Sequence, residues 1–383
     1  VSKDKDQKKK EPGFRDTIRS DFRQANLPKS VRQDYREVLE FFLTDERKEQ
    51  LAHMNAFKKV FVIPFWLFKA MYLHLTPARR ILLLVGVGLL LFFQTTVSSG
   101  DVSTSTNWHI VGGFILLFIL LLELKDKIIA TDELEAGRAV QDALTPDAHP
   151  HFRNWDIWIH TIPANDVGGD LVDYIYVEEE KLGLSLGDVA GKGLGAALFM
   201  AKLQATLRAL APSRSSVADL ACKLNDIFAR DGIPNRFASL LYLEVTHDSG
   251  DIDFVNAGHM PPLLLRGEEL RELERGGAAL GILTKTEYRT QHVALEAGDI
   301  LCVYSDGLTE ARNEHGEFFG DERFRKLLAR LGTLDAGRIG EHLIERIRRY
   351  AGDASQHDDI SLLLLRYTPE GSRSASSASG GQS

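Results

Sequence analysis

The chain has 383 residues, which suggests more than one folded unit, with 46 basic against 54 acidic side chains and a formal net charge of −8. That balance excludes a global electrostatic attraction to nucleic acid. Two cysteines, Cys222 and Cys302, lie far apart and make neither a metal-ligand spacing nor a disulfide framework, which suits a reducing compartment.

Residues 1–55 are charged with mixed sign and open on Lys8-Lys9-Lys10, and no apolar stretch follows closely enough for a cleavable signal peptide. The region 56–124 is apolar by contrast. Its two longest runs, ILLLVGVGLLLFFQTTV at 81–97 and WHIVGGFILLFILLLEL at 108–124, reach the lower limit of about 17 residues for a spanning helix. They have almost no polar face, unlike a buried core helix. A transmembrane helical hairpin is the expected form, because backbone groups in lipid must be satisfied within each helix. Arg79 and Arg80 precede the first run, Lys125 and Lys127 follow the second, and the connecting loop has no Lys or Arg. The positive-inside rule then places both termini in the cytoplasm. The earlier stretch 57–75, interrupted by Pro64 and Lys69, reads as an interfacial helix, with a third span as the alternative.

Residues 125–146 read as a helical linker that Pro146 ends. Its partial stripe of Ile129, Ala136, Ala139, Val140, Ala143 and Leu144 suits either packing on the next domain or pairing with a second copy in a homodimer.

The domain at 147–367 is dominated by strand-like runs at 155–162, 171–178, 181–187, 237–245, 251–258, 299–305 and 360–367. Tight connections such as EEEK and THDSG predict hairpins and antiparallel pairing. Helical stretches at 194–210 and 217–230, and again at 321–331 and 336–350, come in pairs between strand blocks. The pattern predicts an α+β fold. The Ser/Gly-rich tail 368–383 reads as disordered.

Four acidic positions each stand at a strand end or in a Gly-containing turn: Asp170 in VGGD, Asp188 in SLGDVAGKG, Asp306 in VYSDG, and the pair Asp358-Asp359 in HDDIS. Each alone is an ordinary turn former. Together they can converge at the rim of a sheet, where clustered carboxylates repel and raise one another's pKa. A hard divalent cation removes that conflict, and all-oxygen ligands favour Mg2+ or Mn2+ over zinc.

The ordered set GGDLVD (168–173), GDVAGKGLGAALFM (187–200), NAGHMPP (256–262), GDILCVYSDGLTEARN (298–313) and HDDISLLLL (357–365) resembles the SpoIIE-like bacterial branch of the protein phosphatase 2C superfamily. The helix ELEAGRAVQDALTP (133–146) resembles the one that precedes the domain in that branch. The resemblance implies a four-layer α-β-β-α sandwich, two antiparallel sheets flanked by helices. It implies two Mn2+ or Mg2+ ions at the rim, with Asp188 bridging them and the Val189 carbonyl as a further ligand. Asp306 and Asp358 would complete one site, Asp170 would contribute directly or through water, and Asp359 is the alternative beside Asp358. The implied activity is hydrolysis of phosphoserine or phosphothreonine by an activated water, on a phosphorylated regulatory protein such as an anti-sigma antagonist. The implied place is the inner face of a bacterial cell membrane.

Val189 and Ala190 stand where eukaryotic members carry Gly and His, so the general acid is unassigned. Lys192 is the candidate contact for substrate phosphate, against a solvated loop lysine. GDVAGKG lacks the spacing of an ATP loop, and His259 in NAGH reads as a hydrogen-bonded turn residue. Two other classes stand beside the enzyme: a catalytically silent membrane scaffold on the same fold, and a membrane receptor, for which the short loop between the apolar runs is too small to form a sensor domain.

Overall fold

The structure, a computed structural model, describes residues 54–92, 94–99, 102–146, 148–232 and 236–369, with Arg47, Gln50 and Leu51. Nearly all of the charged region 1–55, and the expected disordered tail beyond Pro369, lie outside the described residues. The chain divides into two units between Lys127 and Ile128.

The first unit holds α1 (Ala56–His74), α2 (Pro77–Phe92), the antiparallel ribbon β1 (Gln94–Ser99) and β2 (Val102–Asn107), and the start of α3 (His109–Leu144). Helices α2 and α3 run antiparallel and approach closely at glycines: a Cβ on Gly112 would lie 2.6 Å from the Gly86 carbonyl oxygen. Arg79 ties their far ends, at 2.7 Å from both Glu123 and Asp126.

A helical hairpin is therefore present, formed by α2 and α3 around the β1–β2 ribbon. Among the described residues no helix is long and apolar enough to cross a membrane. Helix α2 has 16 residues, about 24 Å at the usual rise, against a hydrocarbon core of about 30 Å. The residues expected to finish the first span lie instead in β1, where β-branched Thr95, Thr96 and Val97 favour a strand. In α3, Glu123 breaks the apolar run. The stretch 57–75 is one helix through Pro64 as far as His74, with Lys58, Lys59 and Lys69 along it. Phe57, Phe61, Phe65, Ile81, Leu84 and Phe114 are all exposed.

The second unit carries two five-stranded antiparallel sheets. One has the order β10-β7-β6-β5-β4, from β4 (Leu171–Glu178), β5 (Lys181–Val189), β6 (Ala238–Thr246), β7 (Asp251–Ala257) and β10 (Gln291–Ala294). The other has the order β3-β12-β11-β8-β9, from β3 (Trp155–Ile162), β8 (Leu263–Arg266), β9 (Glu269–Glu272), β11 (Ile300–Tyr304) and β12 (Ile360–Tyr367). Their central strands are buried on both faces, which is why they read as continuous apolar runs.

Alternation along each strand sorts the layers. Leu182, Leu184, Leu186, Leu241 and Leu243 of the first sheet meet Ile157, Ile159, Leu301, Val303, Leu363 and Leu365 of the second in a core between the sheets. The opposite face of the first sheet, with Leu240 and Tyr242, is covered by α4 (Leu194–Leu210) and α5 (Val217–Arg230). The opposite face of the second, with Cys302, Leu362 and Leu364, is covered by α7 (Asp321–Leu331) and α8 (Ala336–Ala351). The short helix α6 (Asp306–Thr309) lies directly after β11. Caps fix two helix starts: Ser216 accepts from the Asp219 amide and Asp335 from the Arg338 amide.

Trp155 and Trp158 of β3 point to opposite layers, one ring in the core between the sheets and the other in the layer beneath α8. Gly340 of α8 seats the Trp158 ring, since a Cβ there would lie 2.3 Å from it. Overpacking of this kind costs about 1–3 kcal/mol. Gly340→Ala should lower unfolding free energy by about 2 kcal/mol in a denaturant titration, and an unchanged midpoint would show that the ring has room to move.

Candidate active site

The five acidic residues meet at one end of the sandwich. In the first sheet Leu171 pairs with Gly187, so continuing that register sets Asp170 opposite Asp188, just outside β4 and at the end of β5. In the second sheet Tyr304 pairs with Leu362, so Asp306 leaves β11 where Asp358 and Asp359 enter β12. Antiparallel neighbours thus deliver two carboxylates from the first sheet and three from the second to a shared rim.

Their electrostatics record the crowding. Burial, then the charges of Asp306, Asp358 and Asp359, push Asp188 up from 3.8 to about 6. Asp170 is raised well above the ordinary carboxylate value, by burial first and by the Asp188 charge second, although the Ser361 and Ser305 hydroxyls oppose the shift. Burial and the Asp358 charge raise Asp306. Asp170 Oδ2 is also buried with no hydrogen-bond partner. A buried orphan acceptor among repelling carboxylates is the setting that a hard cation satisfies.

Among the described residues, no group of three or more His, Cys, Asp or Glu is drawn close enough to enclose an ion. Lys192 meets Asp358 Oδ2 at 3.4 Å and also donates to the His357 carbonyl. The donor chemistry fits Mg2+ or Mn2+, with Asp170, Asp188, Asp306, Asp358 and the Val189 carbonyl as the oxygens available to hold it. The Val189 carbonyl oxygen faces Gly169, 3.3 Å from where a Cβ would stand there.

Asp359 is engaged differently from the expectation of a ligand. Its Oδ1 accepts from the Ala164 amide at 2.7 Å, and its Oδ2 accepts from the Gly169 amide at 2.5 Å and the Asp170 amide at 3.2 Å. With both oxygens committed to backbone, its side chain moulds the loop that presents Asp170. Gly168 is required here, because a Cβ would stand 2.7 Å from Asp359 Oδ2.

The same loop is held from the other side by a residue that sequence reasoning passed over. Gln141 of α3 donates from Nε2 to the Gly168 carbonyl and accepts the Gly168 amide on Oε1, both at 2.9 Å. Gln204 of α4 also donates to the Leu144 carbonyl at 2.7 Å. These bonds tie the end of the linker helix to the following domain, while Ile129, Ala136, Ala139, Val140 and Ala143 of its stripe are exposed. Gln141 carried no sequence signal, since a polar residue on an amphipathic helix reads as solvent-facing.

Removing divalent ions should make stability depend on pH in a defined direction. A carboxylate whose folded pKa is raised contributes full stability below its unfolded value near 3.9, and loses it as pH rises through the folded value, about 6 for Asp188. For Asp188 alone the loss is on the order of 2–3 kcal/mol. In chelator, the melting temperature should fall between pH 4.5 and 7, and Mn2+ should restore it at pH 7. A flat profile in calorimetry would contradict the crowding described here.

Comparison with known proteins bears on the fold. The family model of stage II sporulation protein E (SpoIIE) matches residues 178–368. Protein IcfG of Synechocystis is 29% identical over 281 residues, covering 64% of this chain and 43% of that protein. Phosphoserine phosphatase RsbU of Bacillus subtilis is 26% identical over 236 residues, covering 61% of this chain and 70% of RsbU. The chain thus spans less than half the length of the first of these relatives. The solved SiaA-PP2C domain of Pseudomonas aeruginosa shares the fold, with a TM-score of 0.56 at 23% identity over 63% of this chain and 98% of that one. Over residues 178–368 the C-terminal domain of this chain is thus similar to the SpoIIE family.

Proposed function

We propose that this chain is a metal-dependent protein phosphatase that removes phosphate from phosphoserine or phosphothreonine on a regulatory protein. The observation that carries the reading is the convergence of Asp170, Asp188, Asp306 and Asp358 from four strand ends on one rim, with Asp188 in the field of the others. Two divalent ions, when bound, supply an activated water and positive charge for the phosphoryl oxygens. The chain's own residues orient that chemistry. Asp188 is central to the carboxylates of both sheets, Asp359 and Gln141 fix the Asp170 loop, and Lys192 stands at the exposed rim where a phosphate enters.

A cysteine nucleophile does not compete with this reading. Cys302 is buried in β11 with its thiol pKa driven far up by burial, and Cys222 is half-buried on α5. The silent-scaffold alternative loses ground because every carboxylate of the set is present. The relative RsbU is named a phosphoserine phosphatase, which supports a phosphorylated protein substrate. The finer substrate, an antagonist of an anti-sigma factor, rests on the motif resemblance.

The same proposal places the chain at the inner face of a bacterial cell membrane. Its support is the exposed apolar side chains of α1, α2 and α3 in the first unit, beside the basic residues Lys58, Lys59, Arg79 and Arg80. On α3, Ile128, Ile129 and Val140 also remain exposed, and are where a second copy would pair.

Asp188→Asn should lower Mn2+-dependent hydrolysis of a phosphoserine peptide by roughly a thousandfold, on the scale of losing a principal catalytic interaction. Retention of wild-type turnover by the folded variant would remove the function proposed here. The full chain should co-sediment with vesicles containing anionic lipid. Replacing Phe57, Phe61 and Phe65 by Ser should release it, and equal sedimentation of both forms would remove the membrane assignment.

A further inference from the structure

We infer that His259 is a positioning residue which, through Ser239, ties the backbone of Asp188 on one sheet to the strand that delivers Asp306 on the other. The inference rests on the phosphatase reading, because it concerns the spacing of two carboxylates in that site.

His259 sits in the turn between β7 and β8 and is 7% exposed. Asn256 aims it from both sides: its Oδ1 accepts the His259 amide at 2.8 Å, and its Nδ2 donates to the His259 carbonyl at 3.0 Å. Gly258 makes the turn possible, with φ of 73° and the Ala279 backbone 2.5 Å from where a Cβ would lie. Both ring nitrogens are then engaged. Nε2 lies 3.2 Å from the Tyr304 carbonyl oxygen and Nδ1 lies 2.9 Å from Ser239 Oγ.

Chemistry fixes the direction of each bond. A carbonyl oxygen only accepts, so Nε2 carries the hydrogen and Nδ1 of the neutral ring is an acceptor. The Ser239 hydroxyl donates to Nδ1. Its oxygen in turn accepts the Asp188 amide at 3.2 Å. The result is one polar chain, from the Asp188 amide through Ser239 and the imidazole to the carbonyl of Tyr304, two residues before Asp306. Burial keeps the ring neutral, pushing His259 down to about 4.

Strand pairing explains why a side chain is needed there. Cys302 pairs with Leu263, so continuing that register sets Pro261 opposite Tyr304. Proline has no N–H to offer the Tyr304 carbonyl. The imidazole supplies the missing donor and turns a break in the β8–β11 ladder into a link between sheets. Asp359 ties the Asp170 loop across the same rim, but between the strands behind Asp188 and Asp306 the sheets meet through apolar packing, which is non-directional and sets no register between carboxylates. A hydrogen-bonded chain does set one. Partners behind the ligands of a metal site typically change metal affinity by about 10- to 100-fold when removed.

The test uses the full chain, stripped of metal, with Mn2+ as the probe. Mn2+ affinity is read by isothermal titration calorimetry, Asp188 amide protection by hydrogen exchange in chelator, and phosphoserine-peptide hydrolysis by steady-state kinetics. Ser239→Ala and His259→Ala should each weaken Mn2+ binding by ~tenfold or more and speed Asp188 exchange. At saturating Mn2+ the KM for peptide should stay within about twofold of wild type. Ser239→Thr, which keeps the hydroxyl, should retain wild-type affinity. The double variant Ser239→Ala/His259→Ala should bind Mn2+ no worse than His259→Ala alone, because both act in one chain.

Unchanged affinity in folded Ser239→Ala overturns the inference while leaving the phosphatase reading intact, provided the wild type binds Mn2+ and hydrolyses peptide. Additive losses in the double variant, or failure of threonine to rescue, overturn it as well. Should His259→Ala not fold, Ser239→Ala and Ser239→Thr decide the question without it. A wild-type chain that neither binds Mn2+ nor hydrolyses peptide overturns both readings together.

Discussion

Repulsion among carboxylates is the constraint around which the C-terminal domain is organised. Asp170, Asp188, Asp306 and Asp358 stand at one rim, and burial makes the charges of the first three costlier than they would be in water. No fold gathers such groups without support from elsewhere. The support is the core between the two sheets, where leucine, isoleucine and valine from both inner faces interlock. The helical layers complete it by burying the outer faces. Stability is generated in the middle of the sandwich and used at its edge, a common arrangement for catalytic sites.

The site is built in two shells with different chemistry. Oxygens free to hold a cation come from strand ends. The groups that aim those oxygens are neutral hydrogen-bonding side chains, or a carboxylate already saturated by backbone amides. Asp359, Gln141, Ser239 and His259 each hold a peptide group or a turn, and of these only Asp359 adds charge to the rim. Placement rests mostly on neutral groups, and the crowding comes from the carboxylates alone.

Much of this was legible in the residues. The strands at 155–162, 171–178 and 360–367 match expectation because their apolar runs are bounded by turn signals. The four domain helices match because their amphipathic pattern is strong, and capped at Ser216 and Asp335. Strands β8, β9 and β10 were not foreseen: each has four residues, and two carry mostly polar side chains. The helix expected over 81–97 stops at Phe92 and Gln94 to Val97 extend as a strand, because mean hydropathy does not mark where a helix stops. Asp358 and Asp359 could not be told apart in sequence, since adjacent residues share every local signal. Their partners, Lys192 for one and three backbone amides for the other, are contributed by segments more than 160 residues away. Ser239 left a faint trace, as a hydroxyl in an otherwise apolar strand.

The pairing of β12 has a consequence for how errors in folding would be felt. It lies between β3 and β11, so neighbours on both flanks lock its alignment. A slip by a single position would turn its leucines from one layer to the other. It would also exchange the roles of the two aspartates at its start, bringing the loop anchor to the rim and the free carboxylate into the interior. A misaligned strand would lose packing and chemistry at once, so the sandwich proofreads its own active site through the cohesion of its core.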